Sequence, residues 1–219
     1  MPLLMCDLDD TLVERPPLFR AWARAFLEEQ GQSPDLVDWL VEEDRGGHRP
    51  RDEFHAALIE RTGYDVPFEK FEREFSDRIG DSYRLTSEVR TVLSEVRSAG
   101  WSLAVVTNGP TSTQDQKIRA TGLDELADAV CIAGEVGASK PHPLMFTEAA
   151  RRAGTTLEGA WMIGDNLDAD IAGAQGVGAR TVWLRRDYDW LPYESGVEPD
   201  LVATDLPDAV RRVLQATAP

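Results

Sequence analysis

Hydrophobic positions fall into two rhythms along this chain. Continuous apolar runs recur at Leu3-Leu4-Met5-Cys6, Leu103-Ala104-Val105-Val106, Val130-Cys131-Ile132-Ala133, Ala160-Trp161-Met162-Ile163 and Thr181-Val182-Trp183-Leu184, with Leu201-Val202-Ala203 as a candidate sixth. Short runs without alternation are the pattern of strands buried on both faces. Between them, apolar residues return every three or four positions, as at Val89, Val92, Leu93 and Val96 and again at Phe146, Ala149 and Ala150. That spacing predicts helices. Strands alternating with helices predict an α/β fold, a parallel sheet doubly wound by helices. Sites in such sheets lie outside the carboxyl ends of the strands, so the residues that follow each run are the ones to read for chemistry.

One connection breaks the rhythm. About 90 residues separate the first run from the second, far more than a crossover needs. The stretch is amphipathic throughout, at Leu18, Phe19, Trp22, Phe26 and Leu27, at Leu36, Val37, Leu40 and Val41, at Phe54 and Leu58, and at Phe68, Phe71, Phe75 and Ile79. All of it has helical spacing. We therefore expect residues 14–83 to form an all-helical insert that caps the carboxyl edge of a core built from residues 1–13 and 84–219.

Composition narrows the class. The 219 residues are 42% apolar and carry a formal charge of −16, a globular chain whose field repels polynucleotides and anionic membranes. A small phosphate would be repelled too, so phosphate chemistry demands a local cation. The two cysteines, Cys6 and Cys131, sit inside apolar runs and read as small buried hydrophobes, not as a disulfide framework. The opening apolar run is too short for a signal peptide, and there is no stretch of about 18 apolar residues to cross a membrane. A cytoplasmic protein is expected, and nothing in the sequence speaks to its oligomeric state.

The strand ends supply the chemistry. Asp7-Leu8-Asp9-Asp10-Thr11 follows the first run, Thr107-Asn108-Gly109 the second, Ser139-Lys140-Pro141 the third, and Gly164-Asp165-Asn166-Leu167-Asp168-Ala169-Asp170 the fourth. Carboxylates brought to about 4 Å repel by about 4 kcal/mol per pair at an effective dielectric near 20. Asp7 and Asp165 can share one edge ionised only with compensation, for which a divalent cation is the natural partner. All-oxygen ligation favours Mg²⁺ over zinc. With phosphorus as the electrophile, Asp7 is the candidate nucleophile and Asp9 the candidate acid and base, provided the strand continues and keeps the two on one side. Thr107, Asn108 and Lys140 would hold phosphoryl oxygens. Asp165 would complete the metal shell, with Asp170 or Asp168 orienting metal waters or the Lys140 ammonium.

These motifs, in this order, resemble the haloacid dehalogenase-like superfamily. Asp7-Leu8-Asp9-Asp10-Thr11, Thr107, Lys140-Pro141, and Gly164-Asp165 with Asp170 five residues on carry the likeness across residues 7–170. The resemblance implies a Rossmann-like core, a C1-type helical cap, one Mg²⁺, an aspartyl-phosphate intermediate on Asp7, and a metal contact from the backbone carbonyl of Asp9. It also implies a phosphatase acting on a small phosphorylated metabolite, because phosphatases of the superfamily keep an acid at the position of Asp9 and dehalogenases do not.

Other features carry less. Taken alone, Asp9-Asp10 and Thr107-Asn108-Gly109 are turns, Lys140 is a loop lysine, and Asp168 and Asp170 cap a helix near Ile171. Gly173, Gly176 and Gly178 follow a helical start and lack dinucleotide-fingerprint spacing. His48, His55 and His142 form no ligand pair. The basic segment around Arg45, His48 and Arg49 reads either as a solvated loop or as the part of the cap that selects the leaving group. Two competing functions share the acidic edge: a phosphomutase, and a signalling receiver that holds its phosphate as a switch. The large insert and the late motif at Asp165 speak against the receiver.

Overall fold

The computed structural model describes residues 1–186 and 196–217. It separates into two compact units, Met1–Val13 with Arg84–Pro219, and Glu14–Tyr83.

The first unit opens with strand β1 (Leu3–Cys6). The second unit holds helices α1 (Arg15–Glu29), α2 (Leu36–Asp44), α3 (Arg51–Thr62) and α4 (Phe68–Ser82). The first unit then resumes with α5 (Ser87–Ser98), β2 (Ser102–Thr107), α6 (Thr111–Thr121), α7 (Leu123–Leu126), β3 (Ala129–Ile132), α8 (Ala133–Val136), α9 (Pro143–Arg152) and β4 (Trp161–Gly164). A π-helical turn (Leu167–Ala172) runs into α10 (Gly173–Gln175), followed by β5 (Arg180–Leu184), β6 (Leu201–Ala203) and α11 (Leu206–Ala216).

Among the described residues all five strand pairings are parallel, in the order β3-β2-β1-β4-β5-β6. The fold is an α/β Rossmann-like sheet. Its three central strands β1, β2 and β4 are buried along their whole length, as LLMC, SLAVVT and WMIG, which is why their sequences do not alternate. Successive side chains leave the sheet on opposite faces. Leu3, Met5, Ala104, Val106 and Met162 pack with Met145, Phe146 and Ala149 of α9, whereas α5 and α11 pack on each other and on the sheet. The third strand ends one residue earlier than the apolar run suggests, because Ala133 already accepts the amide of Gly137 at 2.9 Å and opens α8.

Strand order decides where a site can form. The chain winds from β1 outward to β3, then returns to β4 on the other side of β1. The connections after β1 and β4 therefore leave in opposite directions and open a crevice at the carboxyl ends of these two strands. The amide of Asp7 donates to the carbonyl of Ile163 at 3.0 Å across this junction.

The helical unit has an aromatic core. Trp22 meets Phe75 edge-on at 4.7 Å and stacks on Phe26 at 5.2 Å, with Phe19, Phe54 and Phe71 around them. Inside it, Asp44 accepts from both terminal nitrogens of Arg15 and from Arg51, the latter at 3.0 Å. Burial pushes the Asp44 carboxyl up, but the two guanidiniums outweigh it and hold the group below its ordinary value. Arg51 also lies over the Phe75 ring at 4.2 Å. Gly47, with φ +89°, lets the chain pass close to this cluster, since a Cβ there would stand 3.1 Å from the Arg15 guanidinium carbon. Both cysteines are free and buried, and burial pushes the Cys131 thiol up to about 11. No helix among the described residues is long and apolar enough to cross a membrane.

Candidate active site

Four of the expected residues meet at the β1/β4 crevice. Lys140 Nζ lies 2.5 Å from Asp7 Oδ1 and 2.6 Å from Asp170 Oδ1, almost wholly buried. Asp7, Asp165 and Asp170 each offer a carboxylate oxygen, all within 4.8 Å of one another. Burial raises the Asp7 carboxyl, Lys140 opposes this, and Asp170 adds to it. Asp165 is raised well above an ordinary carboxyl, first by burial and then by Asp7, Asp170 and Asp10. Burial lowers the Lys140 ammonium, but Asp170 and Asp7 outweigh it and keep it protonated. One ammonium thus faces three carboxylates, and a hard divalent cation fits the remaining charge and the all-oxygen donor set.

Local structure holds these groups in place. Asp165 follows β4, where Thr11 Oγ1 donates to its Oδ1 at 3.4 Å and the Trp183 indole donates to its carbonyl at 2.9 Å. Asp170 is carried by the π-helical turn and accepts the Asn166 amide at 3.1 Å. Gly164 makes room for it, because a Cβ at that position would fall 2.2 Å from Asp170 Oδ2.

Several expectations change in detail. The strand ends at Cys6, and Leu8–Val13 form a turn in which Asp10 adopts φ +58° and its amide donates to Val13 at 2.8 Å. Strand alternation therefore does not govern Asp9. Its carboxylate lies against Lys117 Nζ, at 2.9 and 2.8 Å, and accepts from Gln114 at 3.1 Å, although its charge still reaches Asp7. The Asn108 side chain is engaged with the backbone of Lys140: Nδ2 donates to the Lys140 carbonyl at 3.1 Å and Oδ1 accepts the Lys140 amide at 2.8 Å. It fastens the loop that carries the lysine. Thr107 is buried, accepts from Gln114 Nε2 at 2.5 Å and donates to the Asn108 carbonyl at 3.3 Å.

The helix cap is neither Asp168 nor Asp170 but Asn166, whose side chain accepts the amides of Asp168 and Ala169 at 3.1 and 2.8 Å. Asp168 is exposed. Arg45, His48 and Arg49 belong to the helical unit. Arg45 and His48 are exposed there, and Arg49 is engaged with Glu43 and Glu53. His55 is buried, stacked on Phe71 at 4.7 Å.

The polar residues that the apolar pattern passed over are Lys117, Gln114, Thr11 and Asn166. Thr11 and Asn166 lie inside the strand-end motifs without a role assigned to them there, and Lys117 and Gln114 are polar side chains on the same helical stripe as Ile118.

A model of the haloacid dehalogenase-like hydrolases matches residues 1–178. The chain belongs to this family. A phosphoserine phosphatase from Thermus thermophilus is 30% identical over 94% of this chain and 96% of its own. A ribulose-1,5-bisphosphate 5-phosphatase from Halopiger xanaduensis is 32% identical over 82% of each chain. The crystal structure of the HAD-hydrolase YfnB from Bacillus subtilis, bound to magnesium, superposes with a TM-score of 0.79 at 24% identity, covering 97% of this chain and 98% of that one. At that identity the likeness speaks for the fold. As a haloacid dehalogenase-like hydrolase the chain is an enzyme, and the matched residues include Asp7, Lys140, Asp165 and Asp170 of the β1/β4 crevice.

Proposed function

We propose that this hydrolase is a Mg²⁺-dependent phosphatase of small phosphorylated metabolites, working through an aspartyl phosphate on Asp7. The observation that carries the reading is the Asp7–Lys140–Asp170 bridge beside Asp165 at the switch point. Asp7 and Asp165, with the carbonyl of Asp9, would hold Mg²⁺, which supplies positive charge to the phosphoryl oxygens and lets a dianionic ester approach an acidic protein.

In the first step a carboxylate oxygen of Asp7 forms a bond to phosphorus, the ester P–O bond breaks, and the leaving oxygen takes a proton from Asp9. In the second, water attacks phosphorus and gives a proton to Asp9, and the Asp7 O–P bond breaks to release inorganic phosphate. Lys140 stabilises charge on the phosphoryl oxygens throughout and is kept in place by Asp170 and Asn108. Asp9 is the residue that makes this a phosphatase reading and not a dehalogenase one. The full-length relatives named as phosphatases support it. They act on esters as different as phosphoserine and ribulose bisphosphate, so the substrate is assigned here only as a soluble phosphomonoester. The helical unit is proposed as the cap, with Arg45 and His48 as its candidate selectors.

The test is phosphate release from a panel of esters with and without Mg²⁺, for the wild type and Asp7→Asn, with borohydride trapping of the acyl phosphate. Turnover is expected only with Mg²⁺ and Asp7. Release that survives Asp7→Asn would overturn the reading, and a trapped acyl phosphate without turnover would point to the receiver-like switch.

A further inference from the structure

Helix α6 buries Gln114, Lys117, Ile118 and Thr121, a continuous stripe at helical spacing that contains an amide and an ammonium. Burying a lysine is costly unless its charge is paired, so packing alone does not account for Lys117. Its partner is Asp9, with both carboxylate oxygens within 2.9 Å of Nζ. The lysine side chain is 9% exposed and that of Asp9 29%. Gln114 ties the pair to the strand end, its Nε2 donating to Thr107 Oγ1 at 2.5 Å and to Asp9 Oδ2 at 3.1 Å. Gly109, with φ +122°, leaves room for that side chain, since a Cβ there would lie 3.2 Å from Gln114 Cγ. The helix after the second motif thus reaches back to the residue two places beyond the nucleophile.

We propose that Lys117, aided by Gln114, is a positioning residue that fixes where the Asp9 carboxylate sits relative to the reacting phosphoryl group. The inference rests on the reading of Asp9 as acid and base. Proton transfer needs donor and acceptor within about 2.6–3.2 Å, and a short side chain on a turn does not hold such a distance unaided. Lys117 supplies a fixed anchor on a helix. Its loss should therefore matter in proportion to how much the leaving oxygen needs a proton. A role confined to packing would depress every substrate alike.

The experiment uses the full-length enzyme with Mg²⁺ and compares kcat/KM for phenyl phosphate and p-nitrophenyl phosphate, whose leaving groups need much and little protonation. The variants are Lys117→Met and Lys117→Arg, each in the wild-type and the Asp9→Asn background. Lys117→Met should lower kcat/KM for phenyl phosphate on the order of ten-fold more than for p-nitrophenyl phosphate, within the 10²–10⁴ that acid–base catalysis supplies. Lys117→Arg should restore most of it, and adding Lys117→Met to Asp9→Asn should leave the substrate ratio where it was. Because the ratio is independent of the fraction of folded protein, it reads out even for a destabilised variant. An unchanged ratio in Lys117→Met, or a change that persists in Asp9→Asn, overturns the assignment. Should Asp9→Asn by itself spare phenyl phosphate hydrolysis, the acid–base reading of Asp9 falls and this inference with it.

Discussion

Replacing Asp165 by Asn should make the metal-free protein more stable while destroying its activity. The reason is Coulombic. Carboxylate oxygens of Asp7 and Asp170 lie within 4.8 Å of an Asp165 oxygen, and at an effective dielectric of 20 each such pair repels by about 3.5 kcal/mol. The Lys140 ammonium, bonded to the other two carboxylates, offsets about one of the two pairs. Burial and its carboxylate neighbours raise Asp165, the direction this repulsion requires, and local relaxation relieves part of the remainder. Roughly 2–3 kcal/mol of destabilisation then remains for Asn to remove.

The pH dependence has a definite sign. A carboxyl raised in the folded state costs nothing below its unfolded value, near 4, and its cost grows as pH rises toward the folded value. The gain from Asp165→Asn should accordingly be absent at about pH 4 and grow as pH rises from there. Thermal melts in EDTA at about pH 8 should place the variant roughly 4–12 °C above the wild type, at about 2–4 °C per kcal/mol for a chain of this size. Added Mg²⁺ should raise the wild-type melting temperature and leave the variant where it is. A variant that melts at or below the wild type in EDTA, or that gains equally from Mg²⁺, refutes the picture of three carboxylates awaiting a cation.

Two further outcomes follow from the packing of buried charges. Asp44→Asn leaves Arg15 and Arg51 without their shared carboxylate and should cost about 3–5 kcal/mol in denaturant unfolding; since the Asp44 carboxyl is held below its ordinary value, its contribution is complete above about pH 4 and is lost as pH falls further, so the variant and wild type should converge in acid. Gly164→Ala would put a Cβ 2.2 Å from Asp170 Oδ2, and it should lower kcat by about ten-fold or more by displacing Asp170 and with it Lys140, at a stability cost of about 1–3 kcal/mol; a fully active Gly164→Ala enzyme would show that Asp170 does not set the position of the lysine.

What local pattern determines, this sequence displays openly. Runs such as Leu103-Ala104-Val105-Val106 are apolar because both faces of a parallel strand are covered, and that requirement is written residue by residue. The aromatic spacing from Phe19 to Phe75 likewise reports helices, since each turn must bury its own stripe. The convergence of Asp7, Lys140, Asp165 and Asp170 was also within reach, because strand order and the switch-point rule convert short motifs into one location.

The tertiary structure alone decided the pairings between distant polar groups. Asp9 finds Lys117 and Asn108 closes on the backbone of Lys140, while Asp44 gathers Arg15 and Arg51. In a sequence, a lysine on a helix reads as solvated surface, because its own neighbours do not reveal which charge will arrive from another part of the chain. Apolar burial is a property of one segment and its period, whereas compensation of a buried charge is a property of two segments that meet only after the sheet has formed.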